Sequence, residues 1–224
     1  MTDQEAASLG AAALSHVKPG DVVGLGTGQA ATAFIRALGA AVRDGLSVTG
    51  VPTSEVSATL ARSLGIPLVP EPVALDVAVD GADEVDPHLD LVKGYGGALV
   101  REKVVAAAAR RFVVLVGREK LVATLGARGR LPVEVVRFAM PFCHRRLTEL
   151  GHPPTLRGTE GAPFVTDNGN LVLDAAVTSI ADPAALDAAL RAIPGVVGTG
   201  LFVGMAHTVL VWDDGRARTL ARAS

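Results

Sequence analysis

Cysteine, tryptophan and tyrosine each occur once in these 224 residues, and only four of the 21 cationic side chains are lysine. Each scarcity excludes something. The lone Cys143 has no partner for an internal disulfide, which points to a reducing, cytoplasmic setting and to a small core residue. A net charge of −2 with one Tyr and one Trp provides neither a basic stripe nor stacking platforms, so no nucleic acid is expected as a partner. No membrane is expected either, because charge breaks the longest apolar runs, as at Arg110 and Arg111, and Met1-Thr2-Asp3-Gln4-Glu5 is unlike a secretion signal. The five histidines are scattered, none three or four residues from another, and the acids at 76–90 lack the regular alternation of a calcium loop. Neither a metal nor a cofactor is expected.

What the chain does have is apolar patterning, with 49% hydrophobic residues, enough for one large domain or a large and a small one. Residues 3–17 read as an amphipathic helix closed by Lys18-Pro19-Gly20. A strand over 22–25, a glycine turn and a helix over 29–42 follow. Further strands are expected at 46–51, 66–69, 76–80 and 112–116, with a helix from Ser54 to Leu64 in which Ser54 is either the N-cap or a substrate contact. Strands alternating with helices at this spacing mean an α/β fold with a doubly wound parallel sheet, whose ligands collect outside the carboxyl ends of the strands.

From Leu131 the texture changes. Strands are expected at 131–138, 155–157 and 196–202, with two more inside 164–176 joined across Asp167-Asn168-Gly169, and helices at 141–150 and 182–192. That is a small α+β domain of ferredoxin-like topology. A closing hairpin, 208–212 with 217–220, returns to the first domain. The expected division is 1–128 with 206–224, and 129–205.

Two glycine-rich places carry the chemistry. At Gly24-Leu25-Gly26-Thr27-Gly28 the succession of strand, turn and helix suits an anion at a helix N-terminus. A dinucleotide fingerprint fails, since Gln29 holds the third glycine position and the next strand ends in Val51-Pro52, and a Walker loop fails for want of Gly-Lys-Ser/Thr. One phosphate or polar head fits best, held by the Thr27 hydroxyl and the amides near Gly28; a tight turn without a ligand is the alternative.

The second place is 76–120. Its first strand delivers Asp80, Asp83 and Glu84 onto a glycine-hinged turn, and Lys93 leads into Gly94-Tyr95-Gly96-Gly97, a backbone free to take positive φ near a ligand. A helical pattern from Ala98 puts Glu102 in the first or second turn, near the end that favours anions. Three of the four lysines, Lys93, Lys103 and Lys120, fall in this stretch. Lysine is a compact charge whose pKa yields to burial, so Lys93 and Lys120 are candidates for steering a substrate oxygen. Lys103, about 100° round the helix from Glu102, reads as exposed or structural. Asp76 and Asp90 read as cap or turn residues, and His144 and His152 as surface residues.

An ordered series of motifs resembles the ribose-5-phosphate isomerase A family nearly end to end. They are Gly26-Thr27-Gly28, VDGADEVD at 79–86, KGYGGALVREK at 93–103, Lys120, LPVEVVRFA at 131–139, VTDNGN at 165–170 and IPGVVGTGLF at 193–202. The resemblance implies a Rossmann-like parallel sheet domain with an inserted smaller α+β domain, a homo-oligomer (dimer or tetramer), no metal, and interconversion of two sugar phosphates, ribose 5-phosphate and ribulose 5-phosphate. It implies that Glu102 is the base that moves a proton through an enediolate, and that Asp80 and Asp83 serve ring opening and hold sugar hydroxyls. Lys93 would steady the enediolate oxygen and Lys120 would bind at the rim. Thr27, Gly28, Gln29, Ala30, Gly81, Ala82, Gly94, Tyr95 and Gly96 complete the implied substrate contacts.

The departures from the family sit in its phosphate loop and its lysine turn. The loop usually reads GTGST, and here Gln29 and Ala30 replace both hydroxyls; a lysine often carried by the first helix is Ala6 or Ala7; Tyr95 replaces a glycine. Weaker phosphate binding is expected, through backbone amides, Thr27 and the Gln29 amide. Two other functions use the same residues: the same isomerisation on another or unphosphorylated sugar, and a non-catalytic sugar-phosphate sensor, which would not need Glu102 and Lys93 together.

Overall fold

A computed structural model describes residues 1–69, 71, 74–159 and 161–222. The chain falls into two compact units, Met1–Ala82 with Arg101–Leu121 and Gly204–Ser224, and Asp83–Val100 with Val122–Val203.

The first unit is built on a six-stranded sheet in the order Arg216–Ala221, Thr208–Asp213, Phe112–Gly117, Val77–Gly81, Val22–Leu25, Thr49–Pro52. The first two form an antiparallel hairpin and every other pairing is parallel. The central sequences VVGL, VAVDG and FVVLVG are buried almost throughout, as strands covered on both faces must be. Alternate residues Val23, Leu25, Val77, Val79, Val113 and Leu115 share one core with Leu9 of helix Asp3–Ala13 and with Phe34, Ile35 and Leu38 of helix Gln29–Arg43. Those three positions recur at helical spacing, which is why that helix lies where it does.

Its helix starts are set locally. Thr2 and Glu5 cap the first helix reciprocally, and Ser54 with Ser57 does the same for Glu55–Ser63. The first helix is shorter than the expected 3–17, ending at Ala13 before a 3-10 turn, Leu14–His16. The strand expected at 66–69 is a single parallel bridge from Leu68 to Gly50, since Pro67 has no amide to extend a ladder. The strand order reverses between Val22–Leu25 and Val77–Gly81, the position outside whose carboxyl ends such sheets bind ligands.

The second unit carries a four-stranded antiparallel sheet, ordered Val196–Thr199, Arg130–Val135, Leu171–Ala176, Pro154–Leu156. With Met140–Glu149 after its first strand in sequence and Pro183–Arg191 after its third, it is βαββαβ, the ferredoxin-like arrangement. Val133, Val135 and Leu173 pack there with Cys143, Leu147 and Leu190. A smaller antiparallel sheet joins Leu201–Phe202, Leu91–Val92 and Glu84–Val85.

Three expectations in this unit change. The strand expected over 196–202 is divided at Gly200, whose N–H bonds Pro132 O at 2.7 Å while its own carbonyl takes the Lys93 N–H at 2.8 Å. The first arm of the hairpin across 167–169 is one bridge, Val165 to Leu171. The strand expected over 131–138 stops at Val135 and passes into a 3-10 turn, Arg137–Ala139. The unit boundaries also differ from the expected 128/129 and 205/206. Residues 83–100 and 122–128 group with the second unit, because Glu84–Val85 pairs with Leu91–Val92, Leu91–Val92 pairs with Leu201–Phe202, and the Val122 N–H bonds Val85 O at 2.9 Å. Among the described residues no helix is long and apolar enough to cross a membrane.

Candidate active site

In the first unit the chemistry gathers at the carboxyl ends of the parallel strands. Asp80 leaves Val77–Gly81 almost fully buried, at 3% exposure, and lies so close over Gly26 that a Cβ there would run into its carboxylate. Only glycine fits at 26. Asp80 Oδ1 accepts from the Thr27 amide at 3.0 Å and the Gly81 amide at 2.7 Å, so one carboxylate joins the ends of two neighbouring strands. Glu102, fourth residue of helix Leu99–Ala108 and 5% exposed, borders one closed gap with Asp80, Gly26, Thr53 and Phe112. Its neighbour Arg101 instead pairs with Glu55 at 3.1 Å. Lys120 closes the 3-10 turn Arg118–Lys120 that follows Phe112–Gly117, half-exposed, and Gly81 and Ala82 are half-exposed at the same edge.

The phosphate-loop residues are differently engaged from their expected roles. The Thr27 hydroxyl lies 2.8 Å from both the Thr53 and the Ser54 hydroxyls. Gln29 donates through Nε2 to Asp3 Oδ1 at 2.8 Å, and Ala30 is buried in the core cluster. Gly28 starts the helix Gln29–Arg43 at φ +105° without a side-chain cap, so the amides of that first turn have no intrahelical acceptor. Thr53 and Ser54 escaped the sequence reading as partners of Thr27; the N-cap signal at Ser54 was the one visible trace.

In the second unit Lys93 is 2% exposed, with Nζ 5.5 Å from the centre of the Phe202 ring. The turn after it takes positive φ at Gly94 (+101°) and Gly97 (+86°), where the Phe164 ring occupies the space a side chain would need. Asp83 accepts the Tyr95 N–H at 3.0 Å, and Arg157 donates to the Gly94 and Tyr95 carbonyls at 2.8 and 3.2 Å. The Tyr95 ring lies 3.9 Å from the Arg130 guanidinium carbon and its hydroxyl donates to the Arg130 carbonyl at 3.2 Å. Burial, followed by the nearby Glu84 charge, pushes its phenol up to about 12. Gly96 is exposed at the tip.

The remaining acids of the stretch hold backbone. Glu84, completely buried, accepts the Gly126 and Arg128 amides at 2.6 Å each, and Asp86 accepts those of His88 and Asp90 at 2.9 Å. Among the described residues no three His, Cys, Asp or Glu side chains group as metal ligands.

Comparison with known proteins gives this geometry a family. Residues 49–215 match the model of ribose 5-phosphate isomerase A (phosphoriboisomerase A). The ribose-5-phosphate isomerase A of Roseiflexus castenholzii is 56% identical over 209 residues, 91% of this chain and 89% of that protein. The solved ribose 5-phosphate isomerase A of Methanocaldococcus jannaschii is 39% identical, with a TM-score of 0.93 over 99% of this chain and 100% of that one. A solved D-ribose-5-phosphate isomerase in complex with phospho-erythronic acid is 37% identical, with the same TM-score and coverage. The chain therefore belongs to the ribose-5-phosphate isomerase A family.

Proposed function

We propose that this chain interconverts ribose 5-phosphate and ribulose 5-phosphate through an enediolate, with Glu102 moving the proton between C2 and C1. Family membership supports the reaction. The observation that carries the mechanism is that two buried carboxylates, Glu102 and Asp80, border one closed gap at the carboxyl ends of the parallel strands. From the open-chain aldose the carboxylate takes the C2 proton, the C–H electron pair becomes the C1–C2 double bond, and charge collects on O1. The proton returns to C1 while the O2 proton passes to O1, and a ketone is left at C2. One carboxyl group serves both transfers, which a pocket closed to water favours.

Asp80, fixed by two amides, is proposed to hold the sugar during ring opening, with Asp83 in a similar role. Lys93 is proposed to steady the enediolate oxygen, and Lys120 to bind at the rim. Phospho-erythronic acid, the ligand of one relative, joins a phosphate to a planar, anionic carboxylate as the enediolate of a pentose phosphate joins a phosphate to planar, oxygen-bearing carbons, which supports the same path here. The setting we propose is a cytoplasmic homo-oligomer, from the single cysteine and the family; a monomer mass in sedimentation equilibrium would remove the second half of that.

The test is Glu102→Gln assayed by NMR for turnover and for deuterium uptake at C1 and C2 in D2O. Losing a general base typically costs ~10²–10⁴-fold in rate. Near-native turnover in the variant would show that Glu102 is not the base. A second reading, action on an unphosphorylated sugar, is favoured by one observation, the Gln29 amide held by Asp3. It predicts a kcat/KM for ribose at least equal to that for ribose 5-phosphate.

A further inference from the structure

Lys93 can steady a developing charge only if its backbone is fixed, and the residue after it is a glycine at φ +101°, a conformation with little restraint of its own. Three hydrogen bonds hold the amides of this turn, Lys93 N–H to Gly200 O at 2.8 Å, Tyr95 N–H to Asp83 at 3.0 Å and Gly97 N–H to Gly94 O at 3.0 Å. One side chain reaches two of its carbonyls from outside the turn. Arg157 Nη1 donates to Gly94 O at 2.8 Å and to Tyr95 O at 3.2 Å.

Arg157 is itself locked. Its Nε donates to Asp174 Oδ2 at 2.9 Å and its Nη2 to Asp174 Oδ1, and each side chain of the pair is 13% exposed. The strands behind them are in register, with Asp174 opposite Thr155 and the Arg157 amide bonded to Val172 O at 2.9 Å. The Phe164 ring, which packs against Gly97, lies 5.8 Å from the guanidinium carbon. A planar fork can hold a carboxylate on one edge while another nitrogen reaches two carbonyls; an ammonium cannot do both. A largely buried ion pair is a poor source of net stability, because desolvation offsets the attraction, so holding the turn is the better explanation for its presence.

We infer that Arg157, oriented by Asp174, is a positioning residue for the isomerisation, fixing the Gly94 and Tyr95 carbonyls and through them the backbone that carries Lys93. The inference rests on the role assigned to Lys93 above. It is tested on the full chain with Arg157→Met, Arg157→Lys, Asp174→Asn and Lys93→Met, and with each of the first and third combined with Lys93→Met, by steady-state kinetics on ribose 5-phosphate alongside thermal melting.

Arg157→Met is expected to lower kcat about 10–100-fold while KM moves less than about threefold, the size of effect that small misplacement of a reacting group produces. Arg157→Lys is expected to recover part of the loss. In the Lys93→Met background the same Arg157 change should cost less than about twofold, since nothing is left to position. A loss of equal size in both backgrounds, or a folded Arg157→Met protein with native kcat, overturns the inference. If Arg157→Met fails to fold, Asp174→Asn decides: about 3–10-fold off kcat, absent in the Lys93→Met background, supports the inference, and native kcat overturns it. Native turnover in Lys93→Met alone sinks the positioning role together with the Lys93 assignment. Retained activity in Glu102→Gln would instead mark failure of the reaction scheme itself.

Discussion

The two units hold their polar residues in different ways. In the first, Asp80 and Glu102 sit on a strand end and on a helix, and backbone geometry fixes them; a special demand is that nothing larger than glycine occupy position 26. In the second, Lys93 leads a turn of glycines, and Asp83, Arg130 and Arg157 hold that turn in place. A site on regular elements tolerates changes in surrounding side chains and suffers from added atoms. A site on an irregular turn behaves in the opposite way, because removing one distant side chain releases it.

That contrast can be broken by substitution. After Glu102→Gln, the largest effect is expected from Gly26→Ala, whose methyl group would run into the Asp80 carboxylate. Overpacking of this kind costs about 1–3 kcal/mol, and the displaced carboxylate should lower kcat/KM by ~10²-fold. Urea midpoints and kinetics on one preparation check both. A native-like variant would mean that Asp80 has room to move, and that the first unit is no more rigid than the second.

A smaller effect, and a gain, is expected at the phosphate loop. Gln29→Ser with Ala30→Thr should lower KM for ribose 5-phosphate by at least about tenfold if both hydroxyls reach the phosphate, since a hydrogen bond to a charged group is worth about 1.5–3 kcal/mol; position 30 is buried and two donors on one anion do not add, so the gain is less than the sum of two bonds. The change also ends the Gln29 bond to Asp3. The comparison that matters is kcat/KM for ribose against ribose 5-phosphate. No gain in the double variant would mean that other groups already hold the phosphate.

The smallest effect belongs to Tyr95→Phe. Removing a hydroxyl that bonds one carbonyl should leave kcat within about twofold and cost at most about 0.5–1.5 kcal/mol. Its pH signature is more telling. The phenol ionises near 10 in the unfolded chain and near 12 here, so its contribution is complete below pH 10 and is lost as pH rises towards 12. The phenylalanine variant should lose less stability than the native chain between those values. Parallel urea midpoints across pH 9 to 12 would show that Tyr95 is more open to water than its contacts suggest.

How much of this the sequence disclosed depended on whether the cause was local. The strand Val77–Gly81, the helix carrying Glu102 and the Ser54 cap were all legible, since apolar period and cap chemistry lie within a few residues. Asp80 and Glu102 were marked by their place at element ends. Glu84 and Asp86 look like their neighbours in sequence, yet Glu84 binds amides 42 and 44 residues away, which no local pattern encodes. Gly200 reads as mid-strand because it lies between the β-prone Val196-Val197 and Thr199 on one side and Leu201-Phe202 on the other, and only the existence of two sheets makes it a boundary. Arg157 gave no signal, being one of many arginines until Asp174 and the Gly94 carbonyl converge on it. The Thr27 hydroxyl reads as a ligand contact from the sequence for the same reason: Thr53 and Ser54 lie in another loop.

The handover at Gly200 has a dynamic consequence. Its N–H closes onto Pro132, within a strand of the four-stranded sheet, and its carbonyl closes onto Lys93, next to the three-stranded one. Neither sheet can fray at this point without pulling on the other, so the two form one cooperative opening unit here, and the Lys93 and Gly200 amides should exchange with solvent deuterium through a single event. The backbone of a lysine set in a flexible-looking glycine turn then opens only as often as the ferredoxin-like sheet does. Its exchange rate becomes a gauge of how firmly the whole second unit is closed.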